Sequence, residues 1–427
     1  MTTLNLPSQE TSSSERQQYV RIMAVLFTVA VVFLAQGFLW RVVWRAQQNL
    51  LPPGSNVRTW AMSTLTLPAL QTVTCALFLI PWALLGDRFG ARLSCSGGML
   101  LWALGALAGS WSDSMGFLLL TYALQAAGVA TVIPAALAVI ATVQPQRGGL
   151  LTGLIIAFPA LLYLPGSLIA DQLSQSLSWR TSLLLVAVAA VPLLLLSWFT
   201  FPSAPTATQT GKTPTPDHRP EKRRAVVQTL LLSAALAGLR IHVELAFASH
   251  YSGLVVSDTA EYSRANSGLI SFPFIAGLAT GFVVGAIVAG RRESTRLAWA
   301  VTAAGAVIAL IPPLPFDIAS PTSAVLISAG LGFGLSGQLV ALLQVAPGNR
   351  ISRTGALFLT IQNLGYAAAV GLPVLLLTLA LGGAAPEDRL HLFLGFSLLL
   401  LAAGLVLAIR SGKRPAGQRT VPHTPES

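Results

Sequence analysis

Three residues that could hold a charge or move a proton stand close together in an otherwise apolar stretch: Arg240, His242 and Glu244. A charged side chain inside a bilayer costs about 2.5–3.5 kcal/mol on insertion scales, so each such residue needs a reason to be there. Arg240 and Glu244 are four residues apart and can pair on one helix face. In one interpretation, Arg240 binds an anionic group and Glu244 exchanges a proton with help from His242. In the other, Arg240 and Glu244 form a structural pair and His242 is a neutral packing residue.

A second polar feature is the short segment Leu85–Arg92, which lies between two long apolar runs. Gly90 permits a tight turn with a positive φ, and Arg88 and Arg92 would hold such a turn on the cytoplasmic side of a membrane. Asp87 comes at the end of an apolar run, where its carboxylate can face the N–H groups at the start of another helix. The segment therefore predicts a polar hinge between two membrane helices.

The composition is that of a chain surrounded by lipid. Of its 427 residues, 54% are hydrophobic and 10% are charged, and the mean hydropathy is +0.69, whereas soluble domains carry about 25% charged residues. We interpret the net charge of +11 as basic cytoplasmic loops beside anionic lipid, and not as a surface for nucleic acid. The sequence contains neither a cysteine cluster nor a glycine-rich phosphate loop, so we expect no metal, no cofactor and no bound ATP.

Apolar segments close to the ~20 residues that a spanning helix needs recur twelve times along the chain. We place them at 20–43, 59–84, 93–110, 115–143, 149–170, 181–201, 226–250, 265–290, 297–316, 321–345, 354–381 and 391–409. These segments predict an all-α membrane protein with twelve transmembrane helices in two six-helix, pseudo-symmetric bundles.

The alternation of polar and apolar stretches predicts five regions. They are a disordered cytoplasmic N-terminus (1–19), an N-terminal six-helix bundle (20–201), a cytoplasmic linker (202–225), a C-terminal six-helix bundle (226–410) and a cytoplasmic tail (411–427). With both termini in the cytoplasm, about nineteen Lys and Arg residues lie inside and about six outside, which indicates this orientation. Similar landmarks recur about 206 and about 203 residues apart, which indicates parallel repeats.

The segment Ala83–Arg92 resembles the signature between helices two and three of the major facilitator superfamily, which reads Gly-x-Leu-Ala-Asp-Arg-x-Gly-Arg-Lys. The matching positions are Leu85, Asp87, Arg88, Gly90 and Arg92, whereas Ala83 and Ala91 depart from it. Trp179-Arg180 is similar to a pair that many members carry before the sixth helix. The resemblance implies a membrane transporter that works by alternating access.

The resemblance also implies roles for individual residues. Asp87 would face the start of the eleventh helix near Arg353 and hold the cytoplasmic side shut in one state; the alternative is a loop that only fixes topology. Helices one, four, seven and ten of the family line a central cavity, which makes Gln36, Gln125 and Gln338 possible substrate contacts. The alternative for each glutamine is a hydrogen bond between helices.

Small residues and arginines add two further expectations. Gly277, Gly281 and Gly285 are spaced four apart in the eighth span and share a face that allows close helix packing. In the implied architecture, helices five and eight meet between the halves, where such packing would suit sliding; ordinary packing is the alternative. Arg41 and Arg45, at the external end of the first span, act either as interfacial anchors or as attractors of anions.

From these observations we expect a secondary transporter in the plasma membrane, and not an enzyme. A mostly apolar, glutamine-lined path with one acid favours proton-coupled efflux of amphipathic or drug-like molecules. Arg240, together with Arg41 and Arg45, favours proton-coupled transport of small organic anions instead. A membrane sensor or scaffold that does not transport, and an intramembrane enzyme, are further alternatives. We expect a monomer whose partners are a small-molecule substrate, H+ and the lipid bilayer, with no nucleic acid.

Overall fold

Helices make up nearly all of the described part of the chain, and no strand occurs there. This computed structural model describes residues 9–50, 57–143, 148–173, 176–203, 226–235, 239, 272–288, 297–298, 300–304, 316–344, 346, 351–380, 399, 402–403 and 406. Arg240, His242 and Glu244 lie outside these ranges, as do most of the linker and the whole C-terminal tail.

The described helices divide between the two predicted halves. Those of the N-terminal half are α1 (Gln9–Leu50), α2 (Val57–Phe89), α3 (Ala91–Ser110), α4 (Met115–Val129), α5 (Val132–Val143), α6 (Gly148–Leu173) and α7 (Trp179–Thr200). Those of the C-terminal half are α8 (Val226–Ala235), α9 (Phe272–Ile287), α10 (Phe316–Gln344) and α11 (Ile351–Ala380). Because α4 and α5 share the fourth span, α6 corresponds to the fifth span and α9 to the eighth.

The exterior of the molecule is apolar. Within the described ranges, seven helical stretches are long and apolar enough to cross a membrane. Large apolar side chains such as Leu77, Val188 and Phe199 are exposed on their outer faces. Soluble proteins rarely expose apolar surface of this extent, so these faces contact lipid.

The first helix begins earlier than predicted. We expected residues 1–19 to be disordered, but α1 already begins at Gln9. Residues 9–18 include several Gln, Glu and Arg side chains, which favour helix. A helix that has formed in the adjacent apolar span extends at little cost, because its nucleus already exists. The structure therefore corrects the expectation of disorder for residues 9–19.

The predicted fourth span consists of two helices. A turn at Ala130 and Thr131 separates α4 from α5. Pro134 has no N–H group to donate to the carbonyl of Ala130, so the helical hydrogen bonds are interrupted there. The N–H of Thr131 donates to the carbonyl of Gly128 at 3.3 Å, which tightens the chain into a turn.

Glycines bring α1 and α6 into direct backbone contact. A Cβ on Gly37 would overlap the carbonyl oxygen of Tyr163, and a Cβ on Gly166 would overlap that of Leu34. Small residues allow such close approach between membrane helices. These two helices therefore pack as one unit within the N-terminal half.

The glycine face of α9 packs inside the C-terminal half. Cβ atoms on Gly277, Gly281 and Gly285 would overlap backbone carbonyl oxygens of α10. We expected this face at the contact with the fifth span, but α6 meets α9 elsewhere, with Gly153 beside Ala286. The glycines thus hold α9 to α10, and the expectation of a glycine-lined sliding contact between the halves is corrected.

We predict that Gly166→Ala destabilises the bundle, because the added methyl group overlaps the backbone of α1. Overpacking a tight contact costs about 1–3 kcal/mol. The measurement is the temperature at which half of the detergent-purified protein loses its monodisperse size-exclusion peak, and we expect this temperature to fall. Gly116→Ala is the matched control, since nothing lies within 4 Å of a Cβ there and alanine favours helix. An equal fall in both variants would contradict the close contact.

Candidate functional site

The polar turn between α2 and α3 is a single residue, Gly90. Its N–H donates to the carbonyl of Gly86 at 2.9 Å. Its φ of 92° is the left-handed value that the sequence led us to expect, and glycine adopts it without strain. A Cβ here would also overlap the carbonyl oxygen of Ser203, which follows α7. The approach of the chain after α7 is therefore a second reason for glycine at this position.

Asp87 connects the two halves of the protein. Its Oδ2 accepts a hydrogen bond from Nε of Arg353, in the first turn of α11. The side chain of Asp87 is 6% exposed and that of Arg353 is 48% exposed, so a half-exposed cation holds a nearly buried carboxylate. The resemblance placed Asp87 against the start of the eleventh helix, and the partner found there is a side chain. We name the end of the bundle where α2 ends and α11 begins the Asp87 face.

Arg92 fixes the end of α7 at the Asp87 face. Its Nε donates to the carbonyl of Phe201 at 3.0 Å, and its backbone N–H donates to the carbonyl of Pro202 at 3.1 Å. A cation is favoured beside the unpaired carbonyls at a helix C-terminus. Arg88, in contrast, is exposed at the end of α2. Sequence reasoning missed the role of Arg92, because nothing in the pattern links it to residues so distant in the chain.

Further contacts join the two halves near the ion pair and deeper in the bundle. The Thr360 hydroxyl of α11 donates to the carbonyl of Ala76 in α2 at 3.5 Å. α11 also packs on α5, where a Cβ on Gly355 would lie 2.7 Å from a methyl group of Leu137. Contact between α6 and α9 joins the halves a second time. In this structure the two halves therefore touch at the Asp87 face.

Gln36 lies near the middle of the apolar part of α1 and is 1% exposed. By the helical rise it is about 16 Å from Gln47, where the candidate span ends, and the hydrocarbon core is about 30 Å thick. In the described part of the chain, neither atom of its side-chain amide has a hydrogen-bond partner. Leaving a buried polar group unpaired costs about 1–3 kcal/mol. Among the three predicted glutamines, Gln36 is therefore best suited to bind a polar group of a ligand.

Gln125 is fully buried between α4 and α3. A Cβ on Gly105 of α3 would lie 2.7 Å from its Cγ, and its Nε2 donates to the carbonyl of Thr121 at 3.1 Å. These contacts direct the side chain towards α3. The hydrogen bond lies within α4, and Oε1 of Gln125 has no partner among the described residues, so the described contacts do not include the hydrogen bond between helices that was the alternative for this residue.

Gln338 belongs to a separate polar group near the C-terminal end of α10. Its Oε1 accepts a hydrogen bond from the Thr229 hydroxyl at 2.7 Å, and its Nε2 donates to Oε1 of Gln228 at 3.4 Å. Both partners lie in the first turn of α8, so the group joins two helices of one half. Among the described hydrogen bonds, none joins Gln338 to Gln36 or Gln125.

Arg41 and Arg45 are paired at the end of the bundle opposite the Asp87 face. Nε of Arg41 lies 2.6 Å, and Nη2 of Arg45 lies 2.9 Å, from the same oxygen, Oδ1 of Asp171. We ended the fifth span at Ala170 and so missed Asp171, but α6 extends to Leu173. Asp171 is the first residue after the predicted fifth span, and a polar residue in that position could have been recognised as part of the helix end. The arginines are thus part of an ion-paired group and not isolated interfacial anchors.

A buried hydrogen bond joins α4 to α2. Tyr122 of α4 is fully buried, and its hydroxyl donates to Oε1 of Gln71 in α2 at 2.7 Å. Sequence reasoning did not predict this link between the helices.

Among the described residues, no group of three or more His, Cys, Asp or Glu side chains is arranged to hold a metal ion.

The chain matches the model of one known protein family. The family model described as Major Facilitator Superfamily matches residues 25–370 of the chain. The chain belongs to the major facilitator superfamily. The match spans both halves and includes the Asp87 face and Gln36, so the resemblance seen in Ala83–Arg92 is confirmed.

A solved structure has the same architecture as this superfamily member. The crystal structure of the human organic anion transporter MFSD10 (TETRAN) is similar with a TM-score of 0.68, over 92% of this chain and 99% of that chain, at 12% sequence identity. At this identity the likeness concerns the fold. A search of curated proteins finds no match.

Membership of the major facilitator superfamily defines the class of molecule. The protein is an all-α, multi-pass membrane protein with twelve transmembrane helices in two six-helix bundles. It is a secondary transporter of small molecules and not an enzyme. Helices α1–α7 belong to the first bundle and α8–α11 to the second, so Asp87 and Arg353 join one bundle to the other.

We predict that Asp87→Asn opens the Asp87 face of this superfamily transporter, because the ion pair with Arg353 is lost. Ser352, which is 5% exposed, is replaced by cysteine in a background carrying Cys75→Ala and Cys95→Ala. Its reaction with a water-soluble maleimide is then timed in nanodiscs. Because the cation left behind, Arg353, is half-exposed, the lost pair is worth about 1 kcal/mol, and we expect Asp87→Asn to raise the labelling rate by about fivefold.

The matched control for this prediction is Asp113→Asn. Asp113 also pairs with an arginine, Arg180, but both residues lie in the N-terminal half. Its loss should leave the labelling rate unchanged. Equal labelling of Ser352→Cys with Asp87 present and replaced would contradict the proposed function of the ion pair.

Proposed function

We propose that this transporter exports amphipathic small molecules and that the proton gradient across the plasma membrane drives the export. The observation that carries the proposal is Gln36, a buried amide near mid-depth with no partner in the described part of the chain. A site of this kind binds one polar group of a ligand and leaves the rest against apolar side chains. Substrate sites of such transporters lie near the middle of the bilayer, between the repeats. An amphipathic molecule fits both conditions.

We assign proton coupling to Glu244, assisted by His242, with Arg240 four residues before Glu244 in the sequence. These residues lie outside the described ranges, and their assignment rests on the sequence, since an acid within an apolar span is a candidate proton site. In the described candidate spans, the carboxylates are Asp87 and Asp171, and each contacts an arginine. Both carboxylates are thus engaged in ion pairs, and we keep Glu244 as the candidate for the group that exchanges protons.

We assign the cytoplasmic gate to the ion pair of Asp87 and Arg353. The excess of basic residues in one set of loops supports cytoplasmic termini and a cytoplasmic Asp87 face, which carries Arg88 and Arg92. In this proposal the pair is intact while the substrate site opens outwards and broken while it opens inwards. The protein acts as a monomer in which the bundles 20–201 and 226–410 rock about the linker 202–225.

Transport of small organic anions is the second candidate function. The specific observation in its favour is the group formed by Arg41, Arg45 and Asp171, in which two cations contact one carboxylate oxygen. Arg240, in the seventh span, adds a further positive charge. The similar structure MFSD10 is described as an organic anion transporter, which supports the same candidate.

Glu244→Gln should abolish proton-driven export, because an amide cannot release a proton. We would measure accumulation of a fluorescent amphipathic dye inside inverted vesicles, driven by an imposed pH gradient, and expect it to fall to the level of vesicles without the protein. Asp113→Asn is the control, since the side chain of Asp113 is 85% exposed and should not affect flux. Undiminished proton-driven export by Glu244→Gln would exclude this residue from coupling.

Arg240→Ala tests the second candidate. If the substrate is an organic anion that Arg240 binds, the loss of a charge-assisted contact should lower uptake of a small aromatic carboxylate by about tenfold or more. Uptake of an amphipathic cation in the same proteoliposomes should not fall. Uptake of every tested anion at the wild-type rate would rule out this candidate.

A further inference from the structure

A cavity of about 110 Å³ lies at the Asp87 face beside the end of α7, and we name it the Arg21–Arg92 cavity. Its described lining includes Arg21 of α1, Arg92 of α3, Val139 of α5, and Thr200 and Phe201 at the end of α7. All of these residues belong to the N-terminal bundle. One water molecule needs a cavity of about 10–15 Å³, so this one is large enough for a phosphate group.

The charge of the Arg21–Arg92 cavity suits an anion. Arg92 is half-buried and held in place, since its Nε donates to the carbonyl of Phe201 at 3.0 Å. This hydrogen bond also occupies a carbonyl at the end of α7, where the helix dipole would otherwise oppose an anion. Arg21 is exposed, and none of the described lining residues is acidic. Guanidinium groups present planar sets of N–H donors that match the oxygens of a phosphate.

The cavity lies at the depth of the lipid headgroups and reaches the lipid-facing surface. The candidate span that contains Arg21 begins at Arg16, and the span formed by α7 ends at Thr200. Phe199, which also lines the cavity, is 78% exposed. Leu195 is four residues earlier on α7 and is exposed as well, so apolar surface continues from the cavity into the membrane.

We propose that the Arg21–Arg92 cavity binds the phosphodiester headgroup of an anionic phospholipid such as phosphatidylglycerol. The phosphate oxygens accept charge-assisted hydrogen bonds from the two guanidinium groups, and the acyl chains pack on Phe199 and Leu195. Basic pockets between membrane helices are suited to anionic headgroups. Phosphatidylcholine binds less tightly, because its choline group adds a cation beside the two arginines.

A phospholipid suits this cavity better than a soluble phosphate does. The exposed edge of the cavity at Phe199 faces lipid, and a lipid is already confined to the membrane beside it. It therefore loses less translational freedom on binding than a soluble anion does. By the helical rise, Arg21 lies about 22 Å from Gln36 along α1, so the lipid site is separate from the proposed substrate site and does not rest on the proposed function.

The test measures binding of single lipid molecules to the full chain in detergent by native mass spectrometry, which resolves each lipid-bound state. The probes are dioleoyl phosphatidylglycerol and dioleoyl phosphatidylcholine, which share their acyl chains and differ in headgroup charge. We expect wild-type protein to bind its first phosphatidylglycerol about tenfold more tightly, and Arg21→Gln to lose most of this preference. Arg21→Lys should recover part of the loss, since it restores the charge without the planar donors. Arg21 is the residue to replace, because Arg92 also holds the end of α7.

The matched control is Arg88→Gln, which removes the same charge at the same end of the bundle. Arg88 is exposed at the end of α2 and is not part of the described lining, so its loss should change the preference by less than about twofold. Equal losses of preference in Arg21→Gln and Arg88→Gln would indicate diffuse attraction and overturn the proposal. Equal binding of the two lipids by wild-type protein would overturn it too.

A competition arm distinguishes the lipid from a soluble anion. Millimolar inorganic phosphate, added at constant ionic strength, should leave the binding of phosphatidylglycerol unchanged. Displacement of the lipid would mean that the cavity takes a soluble anion, and it would overturn the proposal. Because the assay involves no transport, failure of the lipid site and failure of the proposed function are distinguishable.

Discussion

The ion pair of Asp87 and Arg353 is the contact on which the observed arrangement of the two bundles depends. Removing one partner of a buried pair leaves an uncompensated charge and costs about 3–5 kcal/mol. Asp87 is nearly buried in the contact between the bundles, whereas Arg353 is half-exposed. When the bundles separate, the carboxylate therefore gains water as it loses its partner. This hydration offsets part of the cost of separating the bundles, so a smaller differential affinity of a bound substrate or proton is enough to shift the equilibrium.

The contacts inside each bundle differ from the contacts between the two bundles. Within them, backbones touch at glycines, as at Gly166 against α1 and Gly281 against α10, and such surfaces do not slide without overlap. Between them, the described contacts include a long hydrogen bond from Thr360, the packing of α2 on α11 and the packing of α6 on α9, where Gly153 lies against Ala286. Each bundle can therefore move as a rigid body, with the ion pair and these contacts between the bundles as the part that changes.

The sequence was sufficient for the features that depend on local chemistry. The apolar lengths of the spans, the positive φ of Gly90 and the approach of Asp87 to the eleventh helix all follow from residue type, spacing or the signature. Features that depend on which way a buried side chain turns were not predictable: Gln125 lies against Gly105 and Gln338 against Thr229 because of helix rotations that periodicity does not define. Asp171 was missed because hydropathy defines the end of a span only to within a few residues. The break before Pro134 was not predicted because the residues on both sides of it are apolar.

The most direct test of whether the ion pair of Asp87 and Arg353 holds the bundles together is the distance between α2 and α11 at the Asp87 face. Spin labels at Leu84 and Leu357, which are both exposed, report this distance by double electron–electron resonance in nanodiscs. If the ion pair holds the bundles together, the ligand-free protein shows mainly one short distance, and Asp87→Asn adds a longer population while the spectra of labels within one bundle stay the same. The same distance distribution with and without the Asp87 carboxylate would show that the ion pair does not hold the bundles together.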